Sequence, residues 1–483
     1  MTQDTKSISM AHRAALGCLA IARQLSVVVM VVSIVALVAG TAGTSYAKKK
    51  VTKEDRQTED TVVVSNFGSL FAGSVETFAA GSILTSAPVR NIIGPNTFIG
   101  AGNGASGDAQ SSLDGDIAVT VPLGVPGLCP SGCLFVWPAG ATGNSSPEEI
   151  IGGPACNISI VPNPLVPFCT NSFLGFPILD NNTGLFLDQG VAYDDPFRSD
   201  VHNAKTTPSQ SVFSTDLIAV ANFGQVVLGT LADPLESCDG DIPDEEPGEE
   251  DGPTVGTITF YRGEQTGNVL PTPAFLTLEI PFPTVPPTTP IPFWTESSIG
   301  GCDTALAGPL GLVFDTFGNL WVVNELGKFV TEYEAGDVGD ADPINIVGLP
   351  PVTGPNAIFV DPAYIAVGTD PINGTGDQVI YVTDVGDNSI KVLDVNVPFV
   401  DNLIGTIKGG NTKLVRPEGI ALLGDDLYVV NNNANSLLMF DDLATSGLGN
   451  IRPKTMVKGH SSRMNFPVGV AAPQFFPPVS VKN

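Results

Sequence analysis

Positive charge is scarce in this sequence. Its 22 Lys and Arg residues stand against 50 Asp and Glu, a formal net charge of -28 over 483 residues. Phosphate recognition needs a positive field, so this balance argues against a nucleic-acid partner and against an anionic bilayer. Charged residues make up only 15% of the chain, so the acid excess reflects missing Lys and Arg more than abundant carboxylates. Histidine is scarcer still. Only His202 and His460 lie beyond the N-terminal leader, each isolated in a turn-like context, which leaves no His set for zinc or for a general base. GxSxG, HExxH and phosphate-loop motifs are absent, so hydrolase and nucleotide-binding readings have no motif behind them. No CxxC pair supports structural zinc, and without a CxxCH there is no attachment point for covalent haem.

What the chain does have is Gly (53) and Pro (40), set between many short apolar runs. That combination reads as turn-rich all-β structure. A chain of this length buries a core without needing metals or disulfides to staple it.

The N-terminus sets the expected compartment. Arg13 and Arg23 precede an uncharged stretch from Leu25 to Ala47, and Ser45-Tyr46-Ala47 offers small residues where a signal peptidase reads. Residues 1–47 are therefore read as a secretory signal cleaved after Ala47, or as a membrane anchor if retained, with 48–60 a linker. The mature protein is expected outside the cytoplasm: secreted, periplasmic or cell-surface. Export suits the remaining cysteines, Cys129, Cys133, Cys156, Cys169, Cys238 and Cys302, an even set whose connectivity the sequence leaves open.

An internal repeat decides the fold. Near the C-terminus, Arg416-Pro-Glu-Gly-Ile-Ala-Leu-Leu is followed by Gly-Asp-Asp-Leu-Tyr-Val-Val-Asn431, then Asn435-Ser-Leu-Leu-Met-Phe440, then Gly449-Asn-Ile-Arg-Pro running to Gly459. Each piece is a short apolar run ending in a turn former, so the unit reads as four strands. Copies begin at Gly308 and Gly354, and looser ones lie upstream. The run Thr61–Asn66 has no first strand ahead of it, and the run Phe466–Ala472 has no partners after it. Joining the two closes a ring and removes the open edge that exposes an all-β chain to aggregation. The expectation is a six-bladed β-propeller over residues 61–472 with a tail at 473–483. Five or seven blades remain open, because the region from Phe98 to Asp195 is degenerate. Asn324, Asp384 and Asn431 close second strands, where a short polar side chain satisfies turn amides.

The pattern Pro-x-Gly-Ile-Ala, Gly-Asp-x-Leu-Tyr-Val-Val-Asn and Asn-Ser-Leu-x-x-Phe resembles NHL-repeat propellers, including their gluconolactonase and virginiamycin-B-lyase relatives. That resemblance implies the fold and says little about activity, because propellers host unrelated functions. The gluconolactonase type uses a Glu, Asn and Asp set around a channel metal, which puts Glu418, Asn356 and Asn431 on a list of catalytic candidates. The lyase type uses a catalytic His in a late blade, and here only His460, just past a blade end, comes near that place.

Three stretches interrupt the repeat. Residues 154–187 carry two cysteines and read as a disulfide-pinned loop. Residues 233–251 are strongly acidic, and Asp239, Asp241, Asp244, Glu245 and Glu246 gather hard oxygens of the kind calcium takes, though without the spaced register of a calcium loop. Residues 271–292 are rich in Pro and Thr and read as an extended connector. Calcium is thus the single cofactor considered, and none is otherwise expected. The leading expectation is a non-enzymatic binding or scaffold module for an extracellular protein or glycan. The alternative is a metal-dependent lactonase or lyase with its site at the channel mouth.

Overall fold

The structure is a computed structural model that describes residues 61–68, 73–99, 106–112, 115–122, 124–125, 128–129, 132–152, 185, 188–194, 217–226, 255–262, 266, 298–300, 303–348, 357–371, 378–398, 402–441, 443 and 447–473. The leader and linker lie outside this set. So do the interrupting stretches apart from Leu185, and Cys156, Cys169, Cys238, Cys302 and His202. No helix among the described residues is long and apolar enough to cross a membrane.

The strands form six four-stranded antiparallel sheets. Blade 1 joins Pro467–Ala471 to Thr61–Asn66, Ser74–Ala79 and Arg90–Ile92, and blade 2 comprises Ala109–Ser111, Ile117–Val121, Cys133–Trp137 and Glu149–Ile151. Blade 3 is Asp188–Asp194, Leu217–Val226, Val255–Arg262 and Ser298–Ile299, and blade 4 is Pro309–Phe314, Leu320–Asn324, Phe329–Tyr333 and Asn345–Val347. Blade 5 runs Pro362–Thr369, Gln378–Asp384, Ser389–Asp394 and Asn402–Lys408, and blade 6 runs Pro417–Leu423, Asp426–Asn431, Ser436–Phe440 and Thr455–Lys458. The first strand of each blade lies beside the first strand of the next, so six inner strands close a ring. Six blades are therefore found, not five or seven. The C-terminal strand completes blade 1 as the repeat implied, with Val63 opposite Ala471 and Val64 opposite Val470.

The core is not one mass but a set of wedges between neighbouring blades, because alternate residues of a strand face opposite sides. In blade 4, Leu320 and Val322 pack toward blade 3 with Ile258 and Phe260, whereas Trp321 and Val323 pack toward blade 5 with Ile365 and Ile380. Near the axis the inner strands touch through their backbones. A Cβ on Gly311 would lie 2.6 Å from Tyr364 Cα, and one on Gly419 would lie 2.5 Å from the Val470 nitrogen. Neither backbone can retreat without opening the ring. Gly419→Ala is accordingly expected to cost about 1–3 kcal/mol by overpacking, read as a lower urea midpoint with an unchanged slope.

Side chains at fixed turn positions tie blades together. Asn431 Oδ1 accepts the Val415 amide at 3.0 Å, while its amide nitrogen donates to the Lys413 carbonyl and to Ser436 Oγ. Asn324 accepts the Ala307 amide at 2.8 Å, and Asp384 accepts the Val360 and Asp361 amides. The Gly-Asn at a blade's tail reaches sideways instead of extending its own sheet. Asn144 Oδ1 accepts the Asn96 amide at 2.7 Å, and Asn450 Oδ1 accepts the Asn411 amide at 2.8 Å, each in the turn that ends the preceding blade. This lateral use accompanies a fourth strand of three residues in blade 2 and of four in blade 6. The Cα atoms of Cys129 and Cys133 are 5.7 Å apart, within the span a disulfide takes.

Candidate functional site

The turns between second and third strands and the connections between blades share one end of the ring, called here the upper face. On it, Glu325 follows the second strand of blade 4, Asp361 precedes the inner strand of blade 5, and Arg416 and Glu418 flank the start of the inner strand of blade 6. The proline that begins each of these inner strands fixes φ and donates no hydrogen bond, so the chain enters the channel wall at a defined angle.

These charged groups sense one another. Burial pushes Glu325 up to about 7, Asp361 and Glu418 add repulsion, and Arg416 and Lys328 oppose it. Glu418 is raised mainly by burial, against the Arg416 guanidinium whose Nε lies 2.8 Å from its Oε1. Asp361 is also raised by burial, with Lys328 pulling the other way. Deeper in the channel, inner-strand positions at one level are Asp108, Gly190, Gly311, Tyr364, Gly419 and Gly469. The two that are not glycine, Asp108 and Tyr364, belong to opposite blades. Asp108 is wholly buried and accepts the amides of Ala109 at 2.8 Å and Val191 at 3.2 Å; burial still lifts it to about 8. Tyr364 is raised well above its ordinary value, first by burial and then by Asp108, Glu418 and Glu325.

Of the residues proposed from resemblance to the gluconolactonase type, Glu418 lies at this mouth and is paired with Arg416. Asn431 lies at the end of its strand, held by Val415, Lys413 and Ser436 in a turn rather than directed at a shared point with Glu418. Asn356 lies outside the described residues, as do Asp239, Asp241, Asp244, Glu245 and Glu246. Among the described residues no group of three His, Cys, Asp or Glu side chains has the geometry to hold a metal ion. His460 sits in a short 3-10 turn, His460–Ser462, at the surface.

Sequence reasoning missed Glu325, Asp361, Tyr364 and Asp108, which come from blades 2, 4 and 5. A signal for two of them exists. Aligning the inner strands on their shared glycine shows Asp108 and Tyr364 as the departures.

The sequence matches no protein-family model, and it matches no curated protein. Solved structures with a similar chain trace include a chain of a nidogen/laminin complex, at 11% identity and a TM-score of 0.43, covering 86% of this chain and 98% of that one. A putative 6-phosphogluconolactonase from Bacteroides fragilis NCTC 9343 aligns at 12% identity and a TM-score of 0.40, over 88% of this chain and 100% of its own. A streptogramin B lyase aligns at 15% identity and a TM-score of 0.19, over 28% of this chain and 38% of its own. None of these likenesses assigns a role to a residue here; the chain is similar to propellers of differing descriptions.

Proposed function

We propose that this protein is an exported, non-enzymatic binding or scaffold propeller that holds an extracellular protein or glycan partner on its upper face. The observation that carries this reading is an arc of exposed apolar side chains at upper-face turns of consecutive blades. Leu326, Val360, Val415 and Phe466 are 56%, 45%, 44% and 41% exposed. A rigid ring that repeatedly presents apolar groups on loops is suited to recognition. The polar residues that a catalytic reading would use are meanwhile engaged in architecture: Glu418 with Arg416, Asn431 with its turn.

The test uses the mature chain beginning after Ala47, probed against arrays of extracellular proteins and of glycans. Leu326→Ser combined with Val415→Ser is expected to abolish the wild-type array signal while leaving the melting temperature within about 2 °C, because exposed sites contribute little to stability. Calcium and chelator are expected to give the same melt. The proposal fails if the chain carries a stoichiometric divalent cation, loses melting temperature in chelator, and hydrolyses lactones in a way that Glu418→Gln eliminates.

A further inference from the structure

Two segments bordering blade 6 depart from the acidity of the rest of the chain. Residues 402–424 contain one acid, Glu418, and residues 455–473 contain none, within a protein of net charge -28. Glu418 is buried in the channel wall. The other acids of blade 6 for which the structure gives a place, Asp425, Asp426 and Asp441, lie at the opposite end, where Asp441 pairs with Lys454 at 2.6 Å. The upper end instead carries Lys413, Lys458 and Arg463, all exposed, and none forms an ion pair with a described residue. Buried Glu76 is the acid that senses Arg463.

The arrangement is repetitive. Lys413 and Arg463 hold the same place in successive connections, each with left-handed φ (61° and 59°), each directly after a Thr or Ser whose hydroxyl donates 2.7 Å to a glycine carbonyl three residues back. Phe466, three residues after Arg463, is 41% exposed. Its amide donates to Asn435 Oδ1 at 2.6 Å and its carbonyl accepts the Phe67 amide at 2.9 Å, so the ring is presented from a fixed backbone. Exposed Asn411 and Asn433 lie in the adjoining turns.

On the binding reading above, we infer that this end of blades 6 and 1 binds an acidic polysaccharide, one bearing uronate or sulfate groups. Charge sets the sign: a polyanion repelled by the rest of the surface is drawn to this end alone. The recurrence of a cation from blade to blade suits a polymer with repeating anions better than a single small anion. The flat apolar face of Phe466 offers a sugar ring a stacking surface, and Asn amides donate to and accept from hydroxyls. An extended peptide gains its main-chain hydrogen bonds from a free strand edge, and this face consists of turns.

The experiment passes the mature chain over immobilised polygalacturonate, heparin, polyglutamate and neutral dextran at low salt. Retention on at least one acidic polysaccharide, with less on polyglutamate and none on dextran, is expected. The triple variant Lys413→Glu, Lys458→Glu, Arg463→Glu should lose at least about tenfold in affinity and flatten the salt dependence, since fewer counterions are released. Phe466→Ala should weaken binding about fivefold with the salt slope unchanged, as an apolar contact does. Asp425→Lys, at the opposite end, should change neither, and melting curves confirm that each variant is folded. Flow-through of the wild type on both acidic polysaccharides overturns the inference. Equal retention on polyglutamate also overturns it, leaving a charge-driven surface and the broader binding reading in place. An equal gain from Asp425→Lys does so as well, because the end of the ring would not matter.

Discussion

Ending the chain at Met464 is expected to abolish cooperative folding of the whole ring. The residues removed include the inner strand Pro467–Ala471, whose Val470 and Ala471 are buried between blades 6 and 1 with Val62, Val64 and Tyr428 or against blade 2 with Val119 and Phe135. They also supply the carbonyls that accept Phe67 and Gly68 amides, and the Gly469 amide that donates 2.9 Å to Ser65 Oγ. Without them Thr61–Asn66 becomes an open edge with unpaired donors and acceptors, the condition that promotes aggregation. Two apolar wedges lose one wall at the same time. The loss is on the order of the entire stability of an ordinary domain, about 5–15 kcal/mol. Full-length protein should melt in one sharp transition. The shortened chain should show none, bind a dye for exposed apolar surface, and regain a transition when a peptide of residues 465–473 is added. A sharp melt of the shortened chain within a few degrees of the parent would mean that the ring does not depend on this strand.

Stability is expected to fall as pH rises from about 5 to 8.5. Four buried carboxyls hold their protons more tightly in the folded ring than in the unfolded chain. Asp108 is raised to about 8, and Glu76, Glu325 and Glu332 to about 7, in every case chiefly by burial. Between the unfolded values near 4 and these folded values, the folded state binds more protons than the unfolded one. Stability must then decline with pH across that window, and it levels off above about 8 once both states are ionised. Each unit of displacement corresponds to about 1.4 kcal/mol. Even a fraction of the total should lower the melting temperature by roughly 5 °C or more between pH 5.5 and 8.5. Asp387 works in the other direction: its ion pairs with Lys391 and Lys408 hold it low, so its contribution is lost only under more acidic conditions. Asp108→Asn removes the titrating group, keeps one acceptor for the Ala109 or Val191 amide, and should flatten the decline. A melting temperature that rises with pH over this window would show that these carboxyls are ionised and satisfied in the folded ring.

Much of this protein was determined by the sequence on its own. Short apolar runs at regular spacing, bounded by Gly, Asn and Pro, require strands joined by tight turns, because only those residues accept the left-handed or proline-fixed backbone. A run at Thr61–Asn66 lacking a first strand and a run at the C-terminus lacking partners can satisfy their ladders only in each other. Ring closure and the strands of blade 6 were therefore legible, whereas the copy read from Gly354 was misplaced, because the inner strand of blade 5 is Pro362–Thr369. The lengths of the fourth strands were not legible. The Gly-Asn tail looked like part of a strand, but Asn144 and Asn450 form their bonds with the preceding blade, a partner distant in sequence.

The channel belongs to the tertiary structure alone. Glu325, Asp361, Glu418 and Arg416 act on one another because three blades converge on an axis, and local pattern carries no record of that convergence. Asp108 and Tyr364 sit 256 positions apart in the chain yet share a level in the ring. The charge of the chain shows the same division. Its net value of -28 is fixed by composition, whereas the gathering of Lys413, Lys458 and Arg463 at one end of the ring, with Asp425, Asp426 and Asp441 at the other, follows from antiparallel strands sending successive turns to opposite faces.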